Sequence, residues 1–417
     1  MAYFVLEPGK QIGGEVYISG SKNSSLPILA ASLLADGEIT LSNVPDLSDT
    51  RNMMEIISLT GSDISKENDG TFKINPKNLT SKKLPFELIN KLRASFLIIA
   101  PLLARCKKVH IPLPGGCQIG ARPIDLHLKG FSAMGAKIKQ GHGYVELKCD
   151  KLLPSKIYLD FPSVGTTENL MTAAATINGE TVIENAANEP EIVDLSSFLC
   201  EMGAEIIGAG TDTIKIKGTS DLKPVSHKII PDRIEAGTFM TMAAISKSRL
   251  KIKNVIPDHL KPVTAKLKEM GFSINEDISS IEIIPCERFK TVDIKTLPYP
   301  GFPTDMQSQF MSLLSVAEGT GIVIETIFEN RFMQVPELLR MGAKIKIDGR
   351  TAIIDGAKKL SGTKVCATDL RAGAALVTAA LAAQGKTEIH DIEHIERGYE
   401  NFEEKLLKIG VNIKRFD

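Results

Sequence analysis

The sequence predicts an α/β protein of two inside-out α/β barrel domains, each made of three βαβαββ repeats with buried helices and outer sheets. Three observations support this prediction. A short glycine signature recurs six times, an apolar helix precedes each copy, and strands with alternating polarity follow it. A chain of 417 residues is long enough for two to four domains, so two domains of three repeats fit its length.

The glycine signature is a hydrophobic residue, a glycine, a small or apolar residue and then an alternating strand. It occurs at intervals of 68 to 74 residues, at Gly61, Gly135, Gly203, Gly271, Gly342 and Gly410. Each glycine follows a segment with helical spacing of apolar residues, such as residues 258–270. Glycine adopts the left-handed conformation without strain, so each should end an amphipathic helix. Hairpins should follow, as at residues 136–147 and 343–354, the latter with a turn at Asp348-Gly349.

A second helix in each repeat is apolar on every face, which is typical of a buried helix rather than a surface one. The six segments are residues 26–35, 95–104, 169–177, 237–245, 309–317 and 373–383. They are too short to span a bilayer. Helices buried this completely need sheets around them. We therefore expect a first domain at residues 22–230, and a second at residues 231–417 that is completed by the strands of residues 1–21.

The composition excludes several classes of function. Lys and Arg number 50 and so do Asp and Glu, so a general nucleic-acid or anionic-membrane surface is not expected. The N-terminus lacks the pattern of a signal peptide, which predicts a cytoplasmic protein without membrane insertion. The six cysteines form no C-x-x-C pair, so no metal site is expected. Five of them are predicted to be structural: Cys106, Cys149, Cys200, Cys286 and Cys366.

The starts of the buried helices carry the residues that suggest chemistry. Lys22, Arg93 and Arg371 lie there, and helix N-termini bind anions through free N–H groups. The alternative is that the polar residues are simply N-caps, and for Ser163, Thr304 and Asp369 the two interpretations have equal weight. Lys22 and Arg371 have no capping role, which favours anion binding.

A Gly- and Pro-rich loop at residues 112–125 stands outside the repeat pattern and contains Cys117 and Arg122. Such loops lie on the surface, and a nearby guanidinium promotes formation of the reactive thiolate. Cys117 is therefore the one cysteine for which we weigh a catalytic role equally against an inert one.

Motifs in all six repeats resemble those of the UDP-N-acetylglucosamine 1-carboxyvinyltransferases, a family of enolpyruvyl transferases. The motifs are SKNSSLP, RAS, PGGCQIGARPIDLH, FPSVGTTEN, NEPEIVDL, PDRIEAGTF, PGFPTDMQSQF, FENRFM, TDLRAGAAL and IERGYE. The resemblance implies two inside-out α/β domains. It also implies transfer of the enolpyruvyl group of phosphoenolpyruvate to the 3-hydroxyl of UDP-N-acetylglucosamine, with release of phosphate. This is the first committed step of peptidoglycan synthesis, and no cofactor is expected.

The resemblance also implies roles for individual residues. Asp305 would take the hydroxyl proton, and Cys117 would be an acid at the methylene carbon or would mainly aid product release. Lys22, Arg122 and Arg397 would bind phosphate and carboxylate, and Asn23, Arg371 and Glu189 would position the intermediate. Arg331 would steady a closed form. The nucleotide-sugar contacts would be Arg93, Arg122, Pro123, Ile124, Asp125, Leu126, Ser163, Val164, Gly165 and Ile327.

Phe161 departs from the family pattern, because some members have Lys at this position. A charge contact to the nucleotide sugar would be lost or replaced by stacking. Because Cys117 lies in the first predicted domain and Asp305 in the second, the resemblance also implies closure, with Gly115 and Gly116 as flexible points.

Three other functions fit the sequence less well. A 5-enolpyruvylshikimate-3-phosphate synthase would lack the Cys117 loop. A catalytically silent sugar-nucleotide sensor would not need Lys22, Cys117, Asp305 and Arg397 together. An RNA-end-processing enzyme would carry a basic stripe, which the balanced charge of this chain disfavours.

Overall fold

The structure is a computed structural model that describes residues 2–7, 11–67, 70–113, 124–357 and 359–417. The described chain divides into two compact units. Domain I contains the described residues of 20–113 and 124–230. Domain II contains the described residues of 2–19 and 231–417.

The helices and strands follow one another in the repeating order that the sequence predicts. Up to residue 113 they are β1 (Tyr3–Leu6), β2 (Glu15–Tyr17), α1 (Lys22–Ala31), β3 (Ile39–Ser42), α2 (Ser48–Leu59), β4 (Asp63–Lys66), β5 (Phe72–Asn75), α3 (Phe86–Lys91), α4 (Ile99–Cys106) and β6 (Lys108–Pro112). Residues 124–230 contain α5 (Asp125–Ala133), β7 (Lys137–Gly141), β8 (Tyr144–Lys148), β9 (Lys156–Tyr158), α6 (Val164–Ala174), β10 (Gly179–Glu184), α7 (Pro190–Glu201), β11 (Glu205–Ile207), β12 (Thr213–Gly218) and β13 (Ser226–Lys228).

The remainder of domain II contains α8 (Arg233–Ile245), β14 (Leu250–Lys253), α9 (Lys261–Met270), β15 (Ser273–Asp277), β16 (Ser280–Ile284), β17 (Ile294–Lys295), α10 (Gln307–Leu314), β18 (Thr320–Ile324), α11 (Val335–Arg340), β19 (Lys344–Asp348), β20 (Thr351–Asp355), β21 (Leu360–Ser361), β22 (Lys364–Cys366), α12 (Leu370–Ala380), β23 (Ala383–Gln384), β24 (Thr387–His390), α13 (Glu393–Glu396), α14 (Phe402–Lys408) and β25 (Ile413–Phe416). Short 3₁₀ helices occupy Ser32–Leu34, Arg93–Ile98, Pro257–Leu260 and Thr304–Met306.

The predicted buried helices form the centre of each domain. Every residue of α8 after Arg233 is buried, and so is every residue of α6 from Thr166 onward. In domain I, α1, α4 and α6 contact one another, as α8, α10 and α12 do in domain II. Because Ala, Ser and Thr are frequent in these helices, their backbones can approach closely. No helix in the described ranges is long and apolar enough to cross a membrane.

The sheets cover this helical centre. In domain I, β10 pairs in parallel with β9, which precedes the buried helix, and antiparallel with β12 of the following hairpin. In domain II, β18 makes the same two pairings with β17 and β20. Alternate residues of these strands are buried, so each sheet has an inner and an outer face. The described strands form separate sheets of two to four strands, none of which closes on itself.

The ends of the amphipathic helices are as predicted. All six signature glycines have positive φ, between 90° and 118°. At the end of α9, Gly271 donates its N–H back to the carbonyls of Leu267 and Lys268, which is the hydrogen bonding expected of a left-handed C-cap. The predicted hairpins are β7–β8 and β19–β20, and Gly349 lies in the turn of the latter.

Two features differ from a strict repeat. The second copy has the short helix α3 where a strand was expected before the buried helix, and its sheet contains only β6, β8 and β7 among the described residues. In the sixth copy the N-terminal strand β1 lies between β24 and β25 and pairs with both. It takes the place of the hairpin strand that the sixth copy itself lacks. The other N-terminal strand, β2, pairs with β14.

Candidate active site

The first turn of α1 places Lys22 and Asn23 at a capped helix N-terminus. Ser21 is the N-cap, and its hydroxyl accepts the N–H of Ser24 at 3.2 Å. The ammonium of Lys22 lies 3.0 Å from the Oδ2 atom of Asp49, whose side chain is 3% exposed, while that of Lys22 is 12% exposed. Asp49 therefore orients Lys22 without fully covering it.

The starts of three helices meet around a histidine in domain I. His127 lies in α5, two residues after Asp125, and its ring packs edge-on against Phe96, three residues after Arg93. A Cβ atom added at Gly165 would lie 3.7 Å from the His127 ring, an ordinary van der Waals distance, so the start of α6 lies directly beside the ring. Desolvation, with the charge of Arg93, lowers the pKa of His127 to about 3. The imidazole is therefore neutral at physiological pH.

His127 is a candidate site residue that the sequence analysis did not single out. Its Nδ1 atom lies 3.1 Å from the amide nitrogen of Asn169, so a neutral Nδ1 would accept that hydrogen bond. The position of His127 in the PIDLH motif could have identified it from the sequence. The structure thus brings Arg93, the start of α5 and Gly165 together around one neutral ring.

The other predicted residues of domain I also lie at helix starts. Ser163 is the N-cap of α6 and accepts the N–H of Thr166, Ile124 precedes α5, and Glu189 is the N-cap position of α7. Burial and the charges of Glu191 and Glu189 raise the pKa of Glu168 well above its ordinary value. Phe161 is 46% exposed, so its ring is available for stacking.

In domain II, Asp305 is held by two arginines. The Nη2 atom of Arg331 lies 2.8 Å from its Oδ1 atom, and that of Arg371 lies 3.3 Å from Oδ2. The arginine side chains are 3% and 5% exposed, whereas that of Asp305 is 27% exposed. The guanidinium groups are therefore enclosed, and the carboxylate is the part of this cluster that solvent or a ligand can reach.

The charges in this cluster fix its protonation. Burial alone would raise the pKa of Asp305, but Arg371, Arg331 and Arg233 outweigh it and hold the pKa well below the ordinary value. Burial would also lower the pKa of Arg371, yet the carboxylate of Asp305, with smaller effects of Tyr399 and Asp232, raises it. Asp305 is thus ionised throughout the physiological range.

Glu325 is a buried carboxylate that the sequence analysis did not identify, and it connects chain segments on either side of Asp305. Glu325 is 1% exposed. Its Oε1 atom accepts the N–H groups of Ile327 at 2.8 Å and Phe328 at 3.2 Å, and its Oε2 atom accepts the hydroxyl of Thr304 at 2.9 Å. One side chain therefore ties Ile327 to the turn that carries Asp305.

The same contact corrects the interpretation of Thr304 as an N-cap. The helical segment begins at Thr304 itself, after Pro303, and no side chain caps it. The Thr304 hydroxyl is used by Glu325. The two other predicted caps are confirmed, since Ser163 and Asp369 both accept backbone N–H groups of the helices they precede.

Arg397 lies at the end of α13, whereas Lys22 and Arg371 lie in the first turns of α1 and α12. Two residues later, the Tyr399 hydroxyl lies 3.3 Å from the Nη1 atom of Arg371 and 2.9 Å from the hydroxyl of Thr238. The turn after Arg397 is thereby connected to the cluster around Asp305.

Some predicted residues cannot be placed. Cys117, Arg122 and Pro123 lie outside the described residues. Within the described ranges, no group of three or more His, Cys, Asp or Glu side chains could hold a metal ion.

Most of the five cysteines that are predicted to be structural do not lie in a hydrophobic core. Cys149 is buried, but Cys200 and Cys366 are exposed, and Cys106 and Cys286 are partly exposed. Cys200 lies on the outer face of α7, and Cys366 ends the edge strand β22. Neither thiol is therefore buried.

Comparison with known proteins identifies the class. The model of the EPSP synthase (3-phosphoshikimate 1-carboxyvinyltransferase) family matches residues 6–406. The enolpyruvyl transferase NikO from Streptomyces tendae superposes with a TM-score of 0.90 at 26% identity, covering 99% of this chain and 98% of that one. An EPSP synthase from Acinetobacter baumannii shares the fold, with a TM-score of 0.80, 18% identity and full coverage of both chains. The chain belongs to the EPSP synthase family of enolpyruvyl transferases.

Sequence relatives narrow the class further. The chain is 56% identical to UDP-N-acetylglucosamine 1-carboxyvinyltransferase 1 of Caldanaerobacter subterraneus subsp. tengcongensis, over 99% of both chains. It is 54% identical to the UDP-N-acetylglucosamine 1-carboxyvinyltransferase of Halothermothrix orenii, over the full length of both. The resemblance to this group that the sequence motifs indicate is confirmed.

Proposed function

We propose that this protein transfers the enolpyruvyl group of phosphoenolpyruvate to the 3-hydroxyl of UDP-N-acetylglucosamine and releases phosphate. The full-length identity of more than 50% to relatives of that name supports the activity. The structural observation that carries it is the ionised, accessible carboxylate of Asp305 among arginines, because the reaction needs a proton acceptor beside a highly anionic donor.

Asp305 is the proposed base. When the sugar hydroxyl attacks C2 of phosphoenolpyruvate, its O–H becomes strongly acidic as the C–O bond forms. A carboxylate of low pKa can therefore take the proton during the attack, although it could not ionise a free alcohol. The methylene carbon gains a proton in the same addition. In the elimination that follows, this carbon loses a proton and phosphate departs with the C–O bond electrons.

Arginine and lysine side chains are the proposed anion ligands. Lys22 and Arg397, together with Arg122, would bind the phosphate and carboxylate of phosphoenolpyruvate. Asn23, Arg371 and Glu189 would position the tetrahedral intermediate. Arginine suits these roles because its planar fork binds oxyanions through two hydrogen bonds. The capped first turn of α1 and the enclosed guanidinium of Arg371 support the assignments, since both groups are already oriented.

Domain I supplies most of the proposed nucleotide-sugar contacts. Helix N-termini offer free N–H groups to a diphosphate, and the starts of α5 and α6 lie beside the neutral ring of His127. The proposed contacts are Arg93, Arg122, Pro123, Ile124, Asp125, Leu126, Ser163, Val164 and Gly165. Ile327, whose backbone N–H is held by Glu325, is a further proposed contact.

The remaining proposals extend the same function. Cys117 is the proposed acid at the methylene carbon or an aid to product release, and Arg331 steadies the reactive form through Asp305. We also propose that each domain closes into an inside-out barrel, which the mutual contacts of its three buried helices support. The reaction would take place in the cytoplasm as the first committed step of peptidoglycan synthesis, and so serve the cell wall during growth and division.

A single phosphate assay tests the function. Purified protein is incubated without added metal, with both substrates and with each substrate alone. Release of inorganic phosphate that requires both substrates, with the enolpyruvyl sugar nucleotide detected by mass spectrometry, is the expected result. Equal phosphate release when shikimate 3-phosphate replaces the sugar nucleotide, or no release with both substrates, would overturn the proposal.

A further inference from the structure

The first turn of α1 is tied on both sides of Lys22 and Asn23. On one side the Ser24 hydroxyl donates to the Oδ2 atom of Asp194. On the other side the Ser21 N–H donates to the carbonyl of Ile230 at 2.7 Å. Ile230 in turn donates its own N–H to the same Oδ2 atom of Asp194, at 3.3 Å. Asp194 thus fixes both ends of the turn, once directly and once through one residue.

Asp194 is itself held in a buried network. It is 5% exposed, and its Oδ1 atom lies 3.0 Å from the Nε2 atom of His227, which is 8% exposed. The Nδ1 atom of His227 lies 3.0 Å from the Oε2 atom of Glu201, and the edge of the ring meets Phe198. A buried carboxylate is stable only with such partners, so the network prescribes where Asp194 lies.

We propose that Asp194, held by His227, is a positioning residue that fixes the turn carrying Lys22 and Asn23 for binding phosphoenolpyruvate. The inference rests on the proposed role of Lys22. The ammonium of Lys22 has two constraints: Asp49 sets its direction, and the Asp194 network sets the backbone from which it extends. Because a displacement of about 1 Å can cost about a hundredfold in rate, a rigid backbone at this position has a measurable effect.

The test must separate positioning from general support of the fold, and α1 offers a matched control. Ser24→Ala removes a buried hydroxyl from the first turn of α1. Ser32→Ala removes another buried hydroxyl just after the last turn, where its Oγ atom donates to the carbonyl of Leu29 at 2.6 Å. Both variants lose one buried hydrogen bond of the same helix, but only Ser24 adjoins Lys22 and Asn23.

Steady-state kinetics and thermal unfolding are measured for both variants. We expect Ser24→Ala to raise KM for phosphoenolpyruvate about tenfold, with KM for UDP-N-acetylglucosamine changed less than about twofold. Ser32→Ala should lower the melting temperature by a similar amount and leave both KM values unchanged. If Ser24→Ala changes neither KM, or changes the two KM values equally, the positioning role is wrong.

A second pair of variants keeps the proposal testable if Ser24→Ala does not fold. Asp194→Asn preserves the shape of the side chain but removes its charge, and should also raise KM for phosphoenolpyruvate selectively. Lys22→Ala distinguishes a failure of the positioning role of Asp194 from a failure of the role assigned to Lys22. If Lys22→Ala raises KM for phosphoenolpyruvate and Asp194→Asn does not, only the positioning role fails. If Lys22→Ala has no effect while phosphate release continues, the role assigned to Lys22 fails and the enzymatic function stands.

Discussion

The Nη2 atom of Arg331 lies 2.8 Å from the Oδ1 atom of Asp305, and the guanidinium that makes this contact is almost completely enclosed. Arg371 pairs with the other carboxylate oxygen. Asp305 is therefore fixed by both of its oxygens, and its orientation does not depend on a ligand. Such preorganisation is what a base needs if it is to meet a hydroxyl in one geometry.

The first prediction concerns Asp305 itself. Asp305→Asn keeps the shape of the side chain but cannot accept the hydroxyl proton, so turnover should fall by at least about a hundredfold. Binding of UDP-N-acetylglucosamine, measured by calorimetry, should remain within about threefold of the parent protein. Asp348→Asn, which changes an exposed carboxylate of the same domain, serves as the control and should be fully active. Normal turnover of Asp305→Asn would remove this residue from the mechanism.

The second prediction concerns the charge of Arg331. Because this cation favours the ionised form of Asp305, its removal raises the pKa of the carboxyl group. An acid limb of the pH profile of kcat that reports on Asp305 should therefore move to higher pH in Arg331→Gln. Arg331→Lys keeps the charge and should shift the limb less. An acid limb that does not move in Arg331→Gln would show that it does not report on Asp305.

The parts of the fold that depend on neighbouring residues in the chain could be predicted from the sequence. Gly271 ends its helix because of its own backbone freedom, and Arg371 follows a helix N-cap because the local pattern places it there. The buried helices were recognised because they lack a polar face. Each of these signals depends only on residues that are neighbours in the chain, so it can be recognised without knowing the tertiary structure.

The residues that were missed are buried polar groups whose partners come from distant segments. The contact of Glu325 with Thr304 spans 21 residues, and that of Ser24 with Asp194 spans 170. The local sequence does not show which residues pair, because each contact exists only after the helices and sheets have packed. For Thr304 the sequence left a cap and a functional role equally weighted, because the actual acceptor of its hydroxyl, the carboxylate of Glu325, is not visible in the local sequence.

The third prediction concerns Glu325. Glu325→Gln replaces one acceptor oxygen with a donor, so the backbone N–H groups of Ile327 and Phe328 or the hydroxyl of Thr304 lose their partner. An unsatisfied buried group costs about 1–3 kcal/mol, so the melting temperature should fall and kcat/KM for UDP-N-acetylglucosamine should drop about tenfold. Glu329→Gln, at an exposed position four residues later, provides the comparison. A variant with unchanged kcat/KM would exclude a role of this carboxylate in shaping the site.

The fourth prediction concerns stability and pH in domain I. Burial would lower the pKa of His227, but the hydrogen bonds and charges of Asp194 and Glu201 outweigh it and raise the pKa above its ordinary value. Folding therefore favours the protonated ring. The resulting stabilisation is complete below about pH 6.5, the ordinary value, and is lost as pH rises through the higher pKa of the folded state.

This dependence can be measured by chemical denaturation at a series of pH values. The free energy of unfolding of the parent protein should decrease as the pH rises above about 6.5, relative to that of His227→Gln, which lacks the titrating group. His142→Gln alters an exposed histidine of the same domain and should keep the dependence of the parent. Parallel curves for the parent and His227→Gln would contradict the assigned direction of the pKa shift.

The fifth prediction concerns Cys117. Its thiolate should open the epoxide of fosfomycin, forming a C–S bond while the ring oxygen leaves as an alkoxide and takes up a proton, and activity should be lost. Cys117→Asp retains an acid at this position, so it should remain active and resist the inhibitor. Intact-mass measurement and peptide mapping would locate the adduct. The exposed thiols provide the control: Cys200→Ser and Cys366→Ser should stay as sensitive as the parent, since exposure alone does not confer reactivity. Full sensitivity of Cys117→Asp, or an adduct on Cys200, would contradict the assignment of Cys117 as the reactive thiol.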